Sequence, residues 1–310
     1  MASELGPRAM FVAGGTDLFP KLKRRQFEVE ALIGLEFLDR RIDAGFIGAG
    51  ATLAAVSTDR GVNAAFPGYA QAAGLVSSPP LRNAGTIGGN LCVDTRCNYY
   101  DMTYEWRKAI GFCLKKDGDI CLVAPSSPRC WAVSSSDTAP MAIALGATVT
   151  LVGPDGEREA PVASLYRDDG IEYLAKQPNE VVTGVRLPGA AGLNSAYVKL
   201  RRRGSIDFPI AGAAVALRLD GQVVTECRIA LSAVASHPLE ARAAAEFMIG
   251  KRPDEETVRA AAELAAKPAK PLDNADLTHF WRKRMVRVVV EQAIFAATRK
   301  ADSAVKLSGT

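Results

Sequence analysis

The chain is poor in histidine: among 310 residues only His237 and His279 occur, 42 positions apart. That excludes H-E-x-x-H metal sites and any chemistry needing several imidazoles. It also lacks an excess of one charge, with 38 Lys and Arg against 34 Asp and Glu for a net +4. Such near-balance does not make the electrostatic footprint of a dedicated nucleic-acid binder. No apolar run reaches the ~20 residues that a bilayer requires. The most apolar stretch, Thr138 to Gly153, is broken by Pro140, Gly146 and three threonines. The opening Met-Ala-Ser-Glu-Leu-Gly-Pro-Arg places an acid and a proline where a secretory peptide carries a basic region and an apolar stretch. A cytoplasmic protein without a membrane span is expected.

What is present fits a folded protein. Hydrophobic residues make up 48% and charged residues 23%, too apolar a mixture for a disordered chain. The length suggests about two domains. Short strands and glycine-rich turns dominate the first part: Phe11-Val12-Ala13, Ala31 to Leu35, Phe46 to Gly50 and Ala147 to Val152 have strand composition. A helix from Leu18 to Arg25 would be capped by Thr16 or Asp17, another runs from Asn63 to Leu75 with an interruption at Pro67, and Asp137 can cap one beginning near Pro140. The segment Ser77 to Asn90 is dense in turn residues, as an ordered functional loop or a linker would be. The small residues from Pro188 to Gly192 mark a candidate boundary. Beyond it, Ala196 to Arg203, Ala211 to Leu219 and Val223 to Ala235 have strand pattern, the last two joined by the hairpin signal Asp220-Gly221. Leu239 to Ile249, Asp254 to Ala266 and Ala275 to Ala297 have helical spacing.

Two glycine turns could carry chemistry. In Gly14-Gly15-Thr16-Asp17 and Thr86-Ile87-Gly88-Gly89-Asn90, paired glycines let backbone approach a ligand and collect N–H groups in one concavity, where a pyrophosphate could sit. Thr16, Thr86 and Asn90 would add side-chain donors. Each turn alone is a weak signal that plain turn chemistry also explains, and neither fits the Rossmann or P-loop fingerprint.

Cysteine supplies the sharper signal. Five of the six cysteines (Cys92, Cys97, Cys113, Cys121, Cys130) fall within a 39-residue window, and Cys227 stands apart. In a reducing compartment such clustering points to metal ligation or redox chemistry before disulfides. Cys97, Cys113, Cys121 and Cys130 are separated by 15, 7 and 8 residues, loop lengths that can bring four thiolates to one centre. Either a [4Fe-4S] cluster or a tetrahedral zinc would suit them, and buried unligated thiols are the alternative. Without a C-x2-C pair, spacing does not choose the metal. Lys108, Lys115, Lys116 and Arg129 lie nearby and could offset thiolate charge, or be ordinary solvated side chains. Packing is the expected role of Cys92 and Cys227.

Together, Ala13-Gly14-Gly15-Thr16-Asp17-Leu18, Arg82 to Leu91 and Asp137-Thr138-Ala139-Pro140 resemble the FAD-binding medium subunit of the molybdenum hydroxylase (xanthine dehydrogenase-like) family. Asp94-Thr95-Arg96-Cys97-Asn98-Tyr99-Tyr100, with the three later cysteines, is similar to the beta subunit of 4-hydroxybenzoyl-CoA reductases within it. The resemblance implies an α+β fold: a two-part, PCMH-type FAD-binding domain over residues 1–189, with an iron–sulfur insertion at 92–131. A CO dehydrogenase flavoprotein-like domain over 190–310, made of a three-stranded antiparallel sheet and three helices, would follow. It implies FAD contacts from Ala13, Gly14, Gly15, Thr16, Asp17, Leu18, Thr86, Ile87, Gly88, Gly89, Asn90, Asp137, Tyr197 and Lys199, and [4Fe-4S] ligation by Cys97, Cys113, Cys121 and Cys130. Tyr197 and Lys199 would lie near the isoalloxazine, although alternating strand residues would give the same pattern. The implied partners are a large molybdopterin subunit and a small [2Fe-2S] subunit in a dimer of heterotrimers, with a ferredoxin donor. Substrate chemistry, and with it every catalytic residue, would belong to a partner. An oxidative hydroxylase passing electrons from FAD to NAD or another acceptor is the alternative.

Overall fold

The computed structural model describes residues 2–43 and 45–307. Its first feature is a parallel pair, β1 (Ala9–Val12) and β2 (Ala31–Gly34), with Ala9 opposite Ala31 and Val12 opposite Gly34. The crossover between them is the first glycine turn and the helix Leu18–Lys23. This helix has Asp17 at its N-cap position, but no side chain caps it, because the Asp17 carboxylate is turned to Arg96.

A five-stranded sheet follows, from β3 (Ile42–Asp43), β4 (Phe46–Gly48), β5 (Thr148–Gly153), β6 (Gly156–Pro161) and β7 (Val181–Arg186), in the order β3-β4-β7-β5-β6. All its neighbours are antiparallel. Gly156, at φ +106°, closes the β5–β6 hairpin in a conformation that side chains avoid. Helices pack on this sheet through a core that includes Ile47, Val149, Leu151, Tyr69, Ile87, Leu91, Met141 and Leu145. The expected helix over Asn63 to Leu75 is two helices, Arg60–Ala65 and Pro67–Gly74, since Pro67 cannot donate an amide to the preceding turn but starts a new one well.

The last sheet holds β8 (Asn194–Leu200), β9 (Ala211–Asp220), β10 (Val223–Ser232) and β11 (Leu239–Glu240) in the order β11-β10-β9-β8. It has four strands where three were expected, because Leu239 and Glu240 pair with Leu231 and Ala230 before the helix Arg242–Met248 begins. Glu255–Ala266 and the long helix His279–Leu307 complete this part. The two halves meet through β9. Ala213, Val215 and Leu217 face the C-terminal helices, and the alternating Ala214 and Ala216 enter the core of the first half, as the two-residue period of a strand dictates. Small side chains on both faces let helices approach the sheet from either side. No helix among the described residues is long and apolar enough to cross a membrane.

Candidate functional site

The two glycine turns come together as the walls of one cavity. Gly14 lies so close to the end of the helix Pro79–Ala84 that a Cβ there would sit 2.0 Å from the Ala84 carbonyl oxygen. Gly15 adopts φ +66°, a left-handed conformation natural to glycine. The second turn is threaded onto the 49–53 segment: Ile87 donates its amide to Ala51 and Gly88 donates to Ala49, at 2.9 and 3.0 Å. Here too bulk is excluded, since a Cβ on Gly88 would lie 2.9 Å from the Ala49 Cβ. Thr86 caps the helix Ile87–Leu91 by accepting from the Gly89 amide at 3.1 Å. The dense segment 77–90 is thus two short helices around Gly85, each started by proline or threonine chemistry.

Ala13, Gly14, Gly15, Thr16, Asp17, Leu18, Thr86, Gly89 and Asn90 line this cavity. Ile87 and Gly88 do not; they are buried behind it. The Asn90 carboxamide oxygen accepts from Ser136 Oγ at 2.9 Å and from Thr138 Oγ1 at 2.7 Å, tying the second turn to the helix Thr138–Leu145. The structure does not bring Asp137, Tyr197 and Lys199 to the cavity lining. They form a buried group at the junction of the halves: Tyr197 donates its hydroxyl to Asp137 Oδ1 and Lys199 its ammonium to Oδ2, both at 2.7 Å. Asp137 therefore makes no side-chain cap on the helix it precedes.

The sequence reading missed Asp94, Arg96, Tyr173 and Phe208, which also line the cavity. Arg96 pairs with Asp17 and Asp101 and lies 4.2 Å from the Phe208 ring centroid, so it clamps the first turn to the C-terminal half. Asp94 and Arg96 could have been suspected from their place between a glycine motif and a cysteine; nothing local marks Phe208. The concavity between close-packed backbone turns, with an arginine at its edge, fits a diphosphate-bearing ligand such as FAD.

The segment after Arg96 folds back onto the first turn. Gln26 donates to the Tyr100 carbonyl oxygen at 2.6 Å. Arg107, buried, donates to the carbonyls of Arg24 and Arg25. On this platform Cys97, Cys113, Cys121 and Cys130 line a single small pocket together with Tyr99, Tyr100, Leu114 and Lys115. All four are buried free thiols. Gly170 passes so close that a Cβ there would lie 2.6 Å from Cys130 Sγ, and the Ala132 amide donates to that sulfur at 3.4 Å. Burial pushes the Cys97 thiol up to about 12 and that of Cys130 up to about 11, so unligated they stay neutral, and metal binding would release their protons. Among the described residues, no group of three or more His, Cys, Asp and Glu side chains is placed to hold a single metal ion. Cys92 lies outside this pocket, on the wall of the glycine-turn cavity. Cys227 sits in the C-terminal core.

Between the two cavities runs a buried ion network. One oxygen of Asp94 accepts from Lys21 and the other from Lys115, each at 2.7 Å. Burial raises the Asp94 carboxyl, yet Lys115 and Lys21 more than offset it and hold it well below the usual carboxylate range. A depressed folded value gives stability that is present above the unfolded value near pH 4 and is lost as pH falls below it. Accordingly, the urea midpoint should drop between pH 5 and pH 3. In Asp94→Asn it should be lower at pH 7 and fall less over the same interval; an equally steep acid loss in the variant would show that Asp94 does not carry the effect.

The chain matches known proteins along most of its length. The family model described as the FAD binding domain in molybdopterin dehydrogenase matches residues 1–190, and the CO dehydrogenase flavoprotein C-terminal domain matches 195–297. The chain is 28% identical over 304 residues to the carbon monoxide dehydrogenase medium chain of Hydrogenophaga pseudoflava, covering 96% of this chain and 92% of that one. It is 29% identical over 291 residues to the aldehyde oxidoreductase FAD-binding subunit of Escherichia coli strain K12, covering 86% and 88%. Among solved structures, the Hydrogenophaga pseudoflava carbon monoxide dehydrogenase lacking the Mo-pyranopterin moiety superposes with a TM-score of 0.77 at 29% identity, covering 96% of this chain and 92% of that one.

Proposed function

The chain belongs to the family of FAD-binding domains of molybdopterin dehydrogenases, and from that premise we propose that it is the flavin- and cluster-carrying medium subunit of a molybdenum-dependent reductase of the 4-hydroxybenzoyl-CoA type. The observation that carries this reading is the convergence of Cys97, Cys113, Cys121 and Cys130 on one pocket beside the glycine-turn cavity. Four thiolates sharing a pocket suit either a [4Fe-4S] cluster or a tetrahedral zinc, and the resemblance of residues 94–100 to the reductase type favours the cluster. The four thiolates would hold a [4Fe-4S] cluster, and Ala13 to Leu18 with Thr86, Gly89, Asn90 and Arg96 would hold FAD. When bound, FAD exchanges one or two electrons and the cluster one.

The chain's own residues provide containment. The Ala132 amide would support Cys130 as a thiolate, and Leu114, Leu122 and Val123 give the pocket apolar walls. Asp17 and Arg96 brace the flavin cavity against the C-terminal half. Under this reading a large molybdopterin subunit performs the dehydroxylation of an aromatic CoA thioester, a small [2Fe-2S] subunit connects it to this chain, the whole forms a dimer of heterotrimers, and a reduced ferredoxin is the donor.

The test is metal analysis of the anaerobically purified complex. About four irons per medium chain are expected beyond those of the [2Fe-2S] subunit, with a visible cluster absorbance that Cys113→Ser diminishes; zinc in place of those four irons would overturn the cluster assignment. A second reading is favoured by the names of the relatives, which are dehydrogenases and oxidoreductases: an oxidative enzyme whose flavin passes electrons to NAD or another acceptor. Bleaching of the bound flavin by NADH, with no response to reduced ferredoxin, would select it.

A further inference from the structure

Of the four cations that the sequence places around the cysteines, only Lys115 lines their pocket. Lys116 pairs outside with Glu28 and Asp117, and Arg129 pairs with Asp168 while lying 3.7 Å from the Trp131 ring centroid. The loop from Cys113 to Cys121 doubles back, with Leu114 donating its amide to the Ile120 carbonyl at 2.8 Å and Gly118 to that of Cys113 at 3.2 Å. This turn carries the Lys115 side chain inward. Its ammonium is held by Asp94 Oδ1 at 2.7 Å, Thr95 Oγ1 at 2.6 Å and the Gly170 carbonyl oxygen. It lies 4.8 Å from the Tyr100 ring centroid and 5.6 Å from that of Tyr173. Tyr100 lines the cysteine pocket and Tyr173 the flavin cavity. Asp94, the carboxylate that anchors Lys115, lines the flavin cavity as well.

We infer that Lys115 is a positioning residue shared by the two cavities: a tethered cation that raises the reduction potential of an anionic thiolate-bound group in the cysteine pocket. This rests on the cluster reading proposed above. The physical reason is charge. One-electron reduction makes a thiolate-bound cluster more negative, and a fixed ammonium in a low-dielectric wall stabilises that state more than the oxidised one. Because Lys21 occupies the other oxygen of Asp94, the carboxylate is shared between two ammoniums and does not cancel Lys115 alone. Thr95 and Gly170 complete the tether with neutral oxygens, which fix the ammonium without adding negative charge.

The experiment uses the intact anaerobic complex, with iron, acid-labile sulfide and FAD counted before an EPR-monitored titration with dithionite. Iron no greater than the [2Fe-2S] subunit accounts for in the unmodified complex overturns the cluster reading, and this inference with it. With iron present, Lys115→Met is expected to keep its metal and flavin and to shift the cluster midpoint to more negative potential, while Lys115→Arg returns it toward the wild-type value. An unchanged midpoint in a fully loaded Lys115→Met complex overturns the inference alone. Should Lys115→Met lose its cluster, Thr95→Val, which keeps the charge but removes one tether, must still move the midpoint; no movement there overturns the role.

Discussion

Replacing Lys199 by methionine is expected to cost roughly 3–5 kcal/mol of stability, the penalty for breaking a buried ion pair from one side. The Lys199 and Asp137 side chains are 1% and 2% exposed. Burial raises the Asp137 carboxyl and lowers the Lys199 ammonium, so each depends on the other to remain charged. Their bond joins three elements: Asp137 precedes the helix Thr138–Leu145, Lys199 is on β8, and the ammonium also donates to the carbonyl of Leu75, just past the helix Pro67–Gly74, at 3.0 Å. Methionine keeps the volume but leaves the buried carboxylate without its ammonium partner, accepting from the Tyr197 hydroxyl, while the Leu75 carbonyl keeps the Arg201 guanidinium at 3.2 Å. Urea titration at neutral pH should show the loss. Tyr197→Phe, which deletes one hydrogen bond to a charged group, should cost less, about 1.5–3 kcal/mol. Asp137→Leu combined with Lys199→Met should recover part of the deficit, because no uncompensated charge is left. A single variant within about 1 kcal/mol of wild type, the range of an exposed pair, would show that the pair is solvated in solution.

Gly14→Ala should remove the flavin. The added Cβ would lie 2.0 Å from the Ala84 carbonyl oxygen, 2.6 Å from its carbon and 3.0 Å from the Gly85 nitrogen. All three are backbone atoms, so no rotamer change can make room, and overpacking of this kind typically costs about 1–3 kcal/mol or more. The clash lies between the two walls of the cavity, so relief requires the turns to separate where a diphosphate would be held. Flavin content after gel filtration is expected to fall to roughly a tenth or less of wild type, a loss equivalent to about 1.4 kcal/mol or more of binding. Far-UV circular dichroism should change little. Gly189→Ala, which meets nothing within 4 Å, is the control and should retain its flavin. Full occupancy in Gly14→Ala would mean that the turns do not form the binding wall.

Legibility followed the range of the physics. The glycine turns could be recognised because close backbone approach and a left-handed residue demand glycine at the position itself. The cysteines could be recognised because thiols grouped in one short stretch carry chemistry in their type and spacing. The hairpin at Asp220-Gly221 and the new helix at Pro67 are equally local. By contrast, β11 has two residues, too few for any pattern, and Leu239-Glu240 reads as helix because the helix behind it does. Along β9, Ala-Gly-Ala-Ala-Val-Ala-Leu is buried on both faces, so no alternation announces which residue meets which core.

By itself the sequence determined which residues can bend, cap, bury and bind: the glycines of two turns, four thiols, and an alanine-rich C-terminal half. Only the tertiary structure decided their use. Asp17 and Asp137 both occupy helix N-cap positions, yet their carboxylates leave the caps for Arg96 and for Lys199 with Tyr197, because a cation or phenol buried by distant chain outcompetes an amide that needs only a weaker partner. The same holds for the wall between the cavities, where Lys21, Asp94 and Lys115 meet across 94 positions of sequence. Charge pairing in a dry interior is strong enough to select such partners, and it leaves no periodic trace in the chain.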